Sequence, residues 1–317
     1  MSRIVTVTIN PALDKSTAVT QLVAGRKLLC RHPRREPGGG GVNVARAVRR
    51  LGGEATALWS RGGSTGQVVE RLLAREGVPH RPIPIGGETR ENFIVYEETS
   101  EQQYRLGMPG PDLDRRDLDR WIEAVDGLDP PPDYFIASGS LPPGVPPDWY
   151  GRMVENLPPS CRVIVDTKQE PLREAAARGI YLIKPNLREL AELAGERPRE
   201  EQAIERQARA LIDKGHVQVV VVSLGSAGAM LVTADAAEHL RSPAVPIRSK
   251  VGAGDSMLAG MVLSLARGSS VCQAAAYGVA AGAAAVMTPG TELCRREDVE
   301  RIWSEMAARQ PAVEAEG

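Results

Sequence analysis

Short apolar runs rich in β-branched residues recur along the chain: RIVTVTI (3–9), ATALW (55–59), YFIAS (134–138), RVIVD (162–166), YLI (181–183) and QVVVVS (218–223). Continuous hydrophobicity over so few residues predicts strands buried on both faces. Between most of them lie segments with apolar residues three and four apart. These are VNVARAVRRLG, TGQVVERLLAREG, PLREAAARG, LRELAELAG and EEQAIERQARALIDKG, several closing on the glycine expected just past a helix end. Strand and helix in alternation predict an α/β fold: a mainly parallel central sheet with helices on both faces, a three-layer α/β/α sandwich.

Two stretches break that rhythm. Residues 15–32 and 90–108 are extended, partly alternating and without a helix pattern, the second with a turn near ETSEQ. They predict a small separate sheet, a β lid contributed by segments 15–35 and 88–108. Open α/β folds bind ligands at the carboxyl edge of the sheet, and a lid belongs over that edge. No internal repeat or low-complexity linker divides residues 1–317, so a single domain is expected.

Charge and composition remove several classes of function. With 39 Lys and Arg against 40 Asp and Glu, the net charge of −1 creates no field that favours nucleic acid or a membrane surface. The basic run RHPRRE (31–36) reads as a solvated edge. The cysteines, at 30, 161, 272 and 294, form no CxxC pair and follow no signal peptide, which fits a reducing cytoplasm better than disulfides or a zinc cage. No apolar run spans a membrane, and AAAYGVAAGAAAVM reads as a buried helix.

The chemistry concentrates in a few segments. In SKVGAGDSMLAGMVLSLARG (249–268), Gly252 and Gly254 permit tight turns and Asp255 stands where a long apolar helix begins, with Ala259, Val262, Leu263 and Ala266 as its buried stripe. Backbone N–H groups at such a start can stabilise a phosphoryl group in transfer, and a carboxylate in the same turn can take a proton from an attacking hydroxyl. The alternative is that Asp255 only caps the helix. In KPNLREL (184–190), Asn186 and Glu189 are three apart, so on a starting helix they share a face and can hold hydrated Mg²⁺; a plain acidic helix face is the alternative. IVTVTINPALD (4–14) places Asp14 past a strand end, where a carboxylate suits sugar hydroxyls unless it merely closes an Asx-turn. SGSLPPG (138–144) reads as a further rim loop.

In EPGGGGVNVARAVRRLGG (36–53) four glycines precede a basic helix. A dinucleotide fingerprint fails here, because Asn43 stands where a third glycine is needed and the preceding RHPRREP carries no strand pattern. A Walker A loop lacks its Lys and Ser or Thr. No HExxH, GxSxG or metal-like histidine spacing occurs, so hydride transfer, P-loop hydrolysis and triad chemistry all lose ground.

Taken in order, NPALD, GGGGVNVARAVRRLGG, KPNLREL, VVVSLG and VGAGDSM resemble the PfkB or ribokinase-like family of carbohydrate kinases, over residues 3 to about 294. The likeness is strongest to its B-type ATP-dependent 6-phosphofructokinases, through TVTINPALD, GRKLLC, ETRENF, QYRLGMPG, SGSLPPGV and PGTELC. The resemblance implies a ribokinase-like fold, ATP as co-substrate, Mg²⁺, fructose 6-phosphate as acceptor and a homodimer built through the β lids; it leaves open whether a monovalent cation such as K⁺ assists. It also implies roles. Asp255 would be the base, and the backbone of Gly252, Ala253 and Gly254 the anion hole. Lys184 would meet the ATP phosphates, while Asn186 and Glu189 orient the magnesium shell. Asp14, Gly39, Gly40 and Asn43 would line the sugar beside Ser138, with Arg90 and Arg105 on its phosphate. Ser223, Gly225 and segment 279–289 would border the nucleotide, and Lys27 would reach the site from a second subunit's lid. One departure is informative: 1-phosphofructokinases and tagatose-6-phosphate kinases read GGKG where this chain reads GGGG, so Gly40 stands in a lysine's place.

Overall fold

The computed structural model describes residues 2–309. The chain runs through β1 (Ile4–Thr8), β2 (Ala12–Val19), β3 (Arg31–Gly38), α1 (Gly40–Arg50), β4 (Thr56–Arg61) and α2 (Gly63–Arg75). Next come β5 (His80–Pro84), β6 (Arg90–Glu97), β7 (Gln102–Leu106), α3 (Arg115–Asp126), β8 (Tyr134–Ser138) and α4 (Trp149–Met153). β9 (Arg162–Asp166), α5 (Gln169–Ala176), β10 (Ile180–Ile183), α6 (Leu187–Ala194), α7 (Glu201–Asp213) and β11 (Val217–Ser223) follow. The last elements are β12 (Ala229–Val232), β13 (Ala237–Leu240), α8 (Ala253–Ala266), α9 (Val271–Val286) and α10 (Arg296–Arg309).

Nine strands form one sheet in the order β13-β12-β11-β10-β9-β8-β1-β4-β5, parallel from β11 to β5 and antiparallel at the β12 and β13 edge. Successive residues of a strand point to opposite faces, and the apolar runs serve two cores accordingly. Ile4, Trp59 and Ile136 pack with α1, α8 and α9 on one side. Val5, Leu58 and Phe135 pack with α3, α5 and α7 on the other. Helices covering both faces make this the expected three-layer ribokinase-like architecture. Several helices stop as their sequences predict: Gly195 takes the left-handed conformation (φ 78°) after α6. The Ala-rich stretch is the buried helix α9, and no helix among the described residues is long and apolar enough to cross a membrane. All four cysteines are free.

A second sheet, in the order β3-β2-β6-β7, is built from the two irregular segments. Here the reading of RHPRREP is corrected: it is a strand, β3, paired with β2 from Ala12↔Gly38 to Ala18↔Arg31. Charges and two prolines hide it, because it is an edge strand whose Arg31–Arg35 segment is exposed and has no core face to impose alternation. The small sheet also begins earlier than expected, at Ala12, so Asp14 lies within strand β2 instead of closing an Asx-turn after β1.

Candidate active site

A cleft of about 490 Å³ opens where the ends of β8 and β9, the starts of α1 and α8, and the small sheet converge. Its lining includes Asp14, Gly39, Gly40, Asn43, Arg90, Arg105, Ser138, Glu189, Gly252 and Asp255, which the sequence names from six separate segments. α8 starts at Gly252, whose left-handed backbone (φ 77°) turns the chain sharply into the helix. The first N–H groups of a helix lack intrahelical acceptors, so those of this turn are free to meet an anion. Asp255 is the third residue of α8 and makes no capping hydrogen bond, which rules out the cap alternative. Instead its Oδ2 accepts from Asn43 Nδ2 at 2.9 Å, joining the glycine-led helix α1 to α8. Burial, then the nearby Asp166 charge, push its carboxyl up to about 6, although Asn43 and Lys184 pull the other way.

Lys184, 5% exposed just after β10, places Nζ 3.3 Å from Asp166 Oδ1. A Cβ built on Gly254 would lie 3.4 Å from that Nζ, so the ammonium abuts the turn that begins α8. Burial alone would lower its pKa; Asp166, Asp255 and Glu189 outweigh it and hold the ammonium above the usual lysine value. Glu189 is raised by burial foremost, with an opposing pull from the Asn186 N–H. Asn186 and Glu189 close a capping box on α6: Asn186 Oδ1 accepts from Glu189 N at 3.0 Å and Glu189 Oε2 from Asn186 N at 2.9 Å. The expected shared face is thus a reciprocal cap; Glu189 still lines the cleft, whereas Asn186 is exposed and lies outside the lining. No group of three or more His, Cys, Asp or Glu that could cage a metal occurs among the described residues.

The four glycines are fitted to their surroundings. A Cβ on Gly40 would fall 2.2 Å from Ser138 Oγ and 2.8 Å from the backbone of Ser138 and Gly139. One on Gly38 would strike Asp14, one on Gly39 Thr8, and one on Gly41 the Val7 carbonyl, each well inside contact distance. Glycine lets α1 start flush against β1 and the loop after β8. On the small sheet, Asp14 Oδ1 accepts from Asn92 Nδ2 at 2.8 Å, while burial raises its pKa against the pull of Asn92, Arg90, Arg46 and Arg105. Arg90 donates to the carbonyls of Asn10 (3.0 Å), Pro11 (3.4 Å) and Met108 (3.0 Å), pinning the small sheet to the loop after β1.

A family model described as pfkB family carbohydrate kinase matches residues 8–298. The chain belongs to that family. The ATP-dependent 6-phosphofructokinase isozyme 2 of Mycobacterium tuberculosis H37Rv is 44% identical to this pfkB kinase over 312 residues, covering 98% of this chain and 91% of its own. Two solved structures of phosphofructokinase-2 from Escherichia coli, one with potassium and one with fructose-6-phosphate, superpose with TM-scores of 0.92 and 0.91. They are 39% and 38% identical, each covering 97% of this chain and 100% of the other.

In this pfkB kinase the remaining expected residues lie outside the cleft lining. Ser223 ends β11 and forms a parallel bridge with Asn186, and Gly225 opens the short 3-10 turn that follows. Segment 279–289 covers the second half of α9 and the three residues after it, and a Cβ on Gly282 would come within 3.3 Å of the Ala253 carbonyl. Lys27 is in the exposed loop between β2 and β3 and does not reach the cleft of its own chain. Sequence reasoning missed Asp166, Asn92, Thr167 and Lys168, all lining the cleft. Asp166 carried a usable signal, since it ends the apolar run RVIVD at the sheet's carboxyl edge.

Proposed function

We propose that the chain is an ATP-dependent 6-phosphofructokinase, transferring the γ-phosphoryl group of ATP to the 1-hydroxyl of D-fructose 6-phosphate, with fructose 1,6-bisphosphate and ADP as products. The observation that carries the reading is the pairing of Asp255 with Asn43 on the floor of a cleft walled by Arg90 and Arg105. Asp255 accepts the proton of the 1-hydroxyl as its oxygen attacks phosphorus. The N–H groups of Gly252, Ala253 and Gly254 hold the charge of the group in transfer, and Lys184, braced by Asp166, meets the ATP phosphates. Glu189 and Asn186 suit Mg²⁺ through water, because both already share oxygens with the α6 cap and Mg²⁺ keeps several waters. When bound, Mg²⁺ neutralises phosphate oxygens.

Asp14 accepts from sugar hydroxyls beside Gly39, Gly40, Asn43 and Ser138. Arg105 carries the larger part of the sugar phosphate contact, since Arg90 already donates to three carbonyls. Ser223, Gly225 and segment 279–289 flank the nucleotide. The small sheet serves as a lid that excludes water, which competes for the phosphoryl group. Leu29, Phe93, Tyr104 and Leu106 are exposed on the small sheet and its β2–β3 loop, and their burial between two lids favours a homodimer in the cytoplasm, with Lys27 of each lid extending to the other site.

Among fructose 6-phosphate, tagatose 6-phosphate and fructose 1-phosphate, the first is expected to give the highest kcat/KM; a preference for fructose 1-phosphate would overturn the assignment. Gly40 bears on the same choice. Gly40→Ala is expected to lower stability by about 1–3 kcal/mol, the range for overpacking, and to raise KM for the sugar more than KM for ATP. A thermal melt with steady-state kinetics checks both, and an unchanged Tm and sugar KM would show that the Ser138 loop yields freely.

A further inference from the structure

Arg46 lies in the middle of α1 at 1% exposure, whereas Arg49 and Arg50 at the helix end are not buried. Its guanidinium is held on three sides. Nε and Nη2 donate to the two carboxylate oxygens of Glu76 at 2.8 and 2.7 Å, and Nη1 donates to the Pro37 carbonyl of β3 at 2.8 Å. Nη2 is also 3.5 Å from Glu36 Oε1, and the other oxygen of Glu36 accepts from Thr291. Nη1 has one more acceptor, Asn43 Oδ1 at 3.2 Å, one helical turn earlier.

That contact decides which way round Asn43 stands. A carboxamide is nearly symmetric in shape, but one end only accepts and the other only donates. A guanidinium has donors alone, so the end of Asn43 facing Arg46 is its oxygen. The N–H₂ end is then presented to Asp255, where it donates at 2.9 Å. Turned over, the amide would set N–H against N–H at Arg46 and oxygen against oxygen at Asp255.

We infer that Arg46 is a positioning residue: clamped by Glu76 and the Pro37 carbonyl, it fixes the Asn43 amide so that its N–H₂ end holds and orients the Asp255 carboxylate. The inference rests on Asp255 being the base. The device ties the base to β3 of the small sheet through two buried side chains, Asn43 and Arg46. A hydrogen bond to the ionised carboxylate favours that form, so losing it raises the pH at which Asp255 titrates. The other charged groups acting on Asp255 are Asp166 at the end of β9, Lys184 after β10 and Asp14 on β2.

Arg46→Met and Arg46→Lys are tested for kcat, for KM of both substrates and for the pH dependence of kcat. Arg46→Lys keeps the charge but replaces the planar fork by a point donor that cannot grip Glu76 in two places and Asn43 as well. Both variants are expected to lose about tenfold or more in kcat, with KM for ATP within about twofold, and to move the acid limb of the profile upward by about half a unit to one unit. In an Asn43→Ala background the same substitutions are expected to add nothing to kcat or to the limb. A drop in Tm with kcat and the acid limb unchanged would overturn the inference, as would full additivity with Asn43→Ala. If Arg46→Met fails to fold, Arg46→Lys carries the same comparison. Asp255→Asn separates the two levels: undiminished turnover there removes the base assignment itself, whereas an inactive Asp255→Asn beside a normal Arg46→Lys profile removes only the role of Arg46.

Discussion

Asp255→Asn is expected to lower kcat at least ~10²-fold, the lower end for loss of an acid–base group, while fructose 6-phosphate binding measured by calorimetry stays mostly intact. The geometry favours so clean a result. An asparagine oxygen can still accept from Asn43 Nδ2, so the contact between α1 and α8 survives and only the basicity is lost. The parent enzyme is expected to lose activity as pH falls through about 6, because the carboxyl must be ionised to take the proton and burial raises it to about that value. Asp255→Asn should abolish this limb. Stability moves oppositely. A folded carboxyl held near 6, above its ordinary 3.8, binds its proton more tightly than the unfolded chain does, so stability contributed at low pH is lost as pH rises through that window. At neutral pH the variant is therefore expected to melt no lower than the parent. Turnover within twofold of the parent would remove Asp255 from the base role.

Lys184→Met should be the next most damaging change, lowering kcat/KM for ATP by roughly 10²-fold, as expected when one preorganised donor to a charged transition state is removed. Methionine keeps much of the buried stem, so packing after β10 is preserved while the charge disappears. Three carboxylates, Asp166, Glu189 and Asp255, then share the region without their cation. Since Lys184 helps hold the Asp255 carboxyl down, the acid limb of kcat should also move to higher pH in this variant. Steady-state kinetics over varied ATP and pH checks both effects. An unchanged kcat/KM for ATP would mean that Lys184 only neutralises Asp166.

The central sheet was legible because its strands are buried on both faces and announce themselves as unbroken apolar runs: RVIVD and YFIAS match β9 and β8 residue for residue. β5, with the sequence HRPIP, and β13 escaped because short edge strands receive too little burial to impose a pattern, while β12 is buried throughout but only four residues long, too short for its apolar run to stand out. In the cleft, Asp255 had a local signature, a glycine pair before an apolar helix, whereas Arg90 and Arg105 were indicated only by the family resemblance. The residues missed draw their meaning from distant partners. Arg46 belongs to the buried stripe of VNVARAVRR, yet nothing in that stretch says that Glu76 and Pro37 surround it. Asn186 and Glu189 illustrate the converse: their spacing was read as a ligand pair, and the same spacing closes a helix cap.

β3 has a consequence for the behaviour of concentrated solutions. It is an outer strand of the small sheet, and an outer strand offers its unused backbone groups to any neighbouring molecule. Pro33 and Pro37 remove two of its donors, and Arg31, Arg34 and Arg35 crowd the same segment with positive charge. A strand arriving from another copy would meet an interrupted ladder and a repelling flank, so open-ended strand-to-strand aggregation is discouraged along this border by the very composition that concealed the strand.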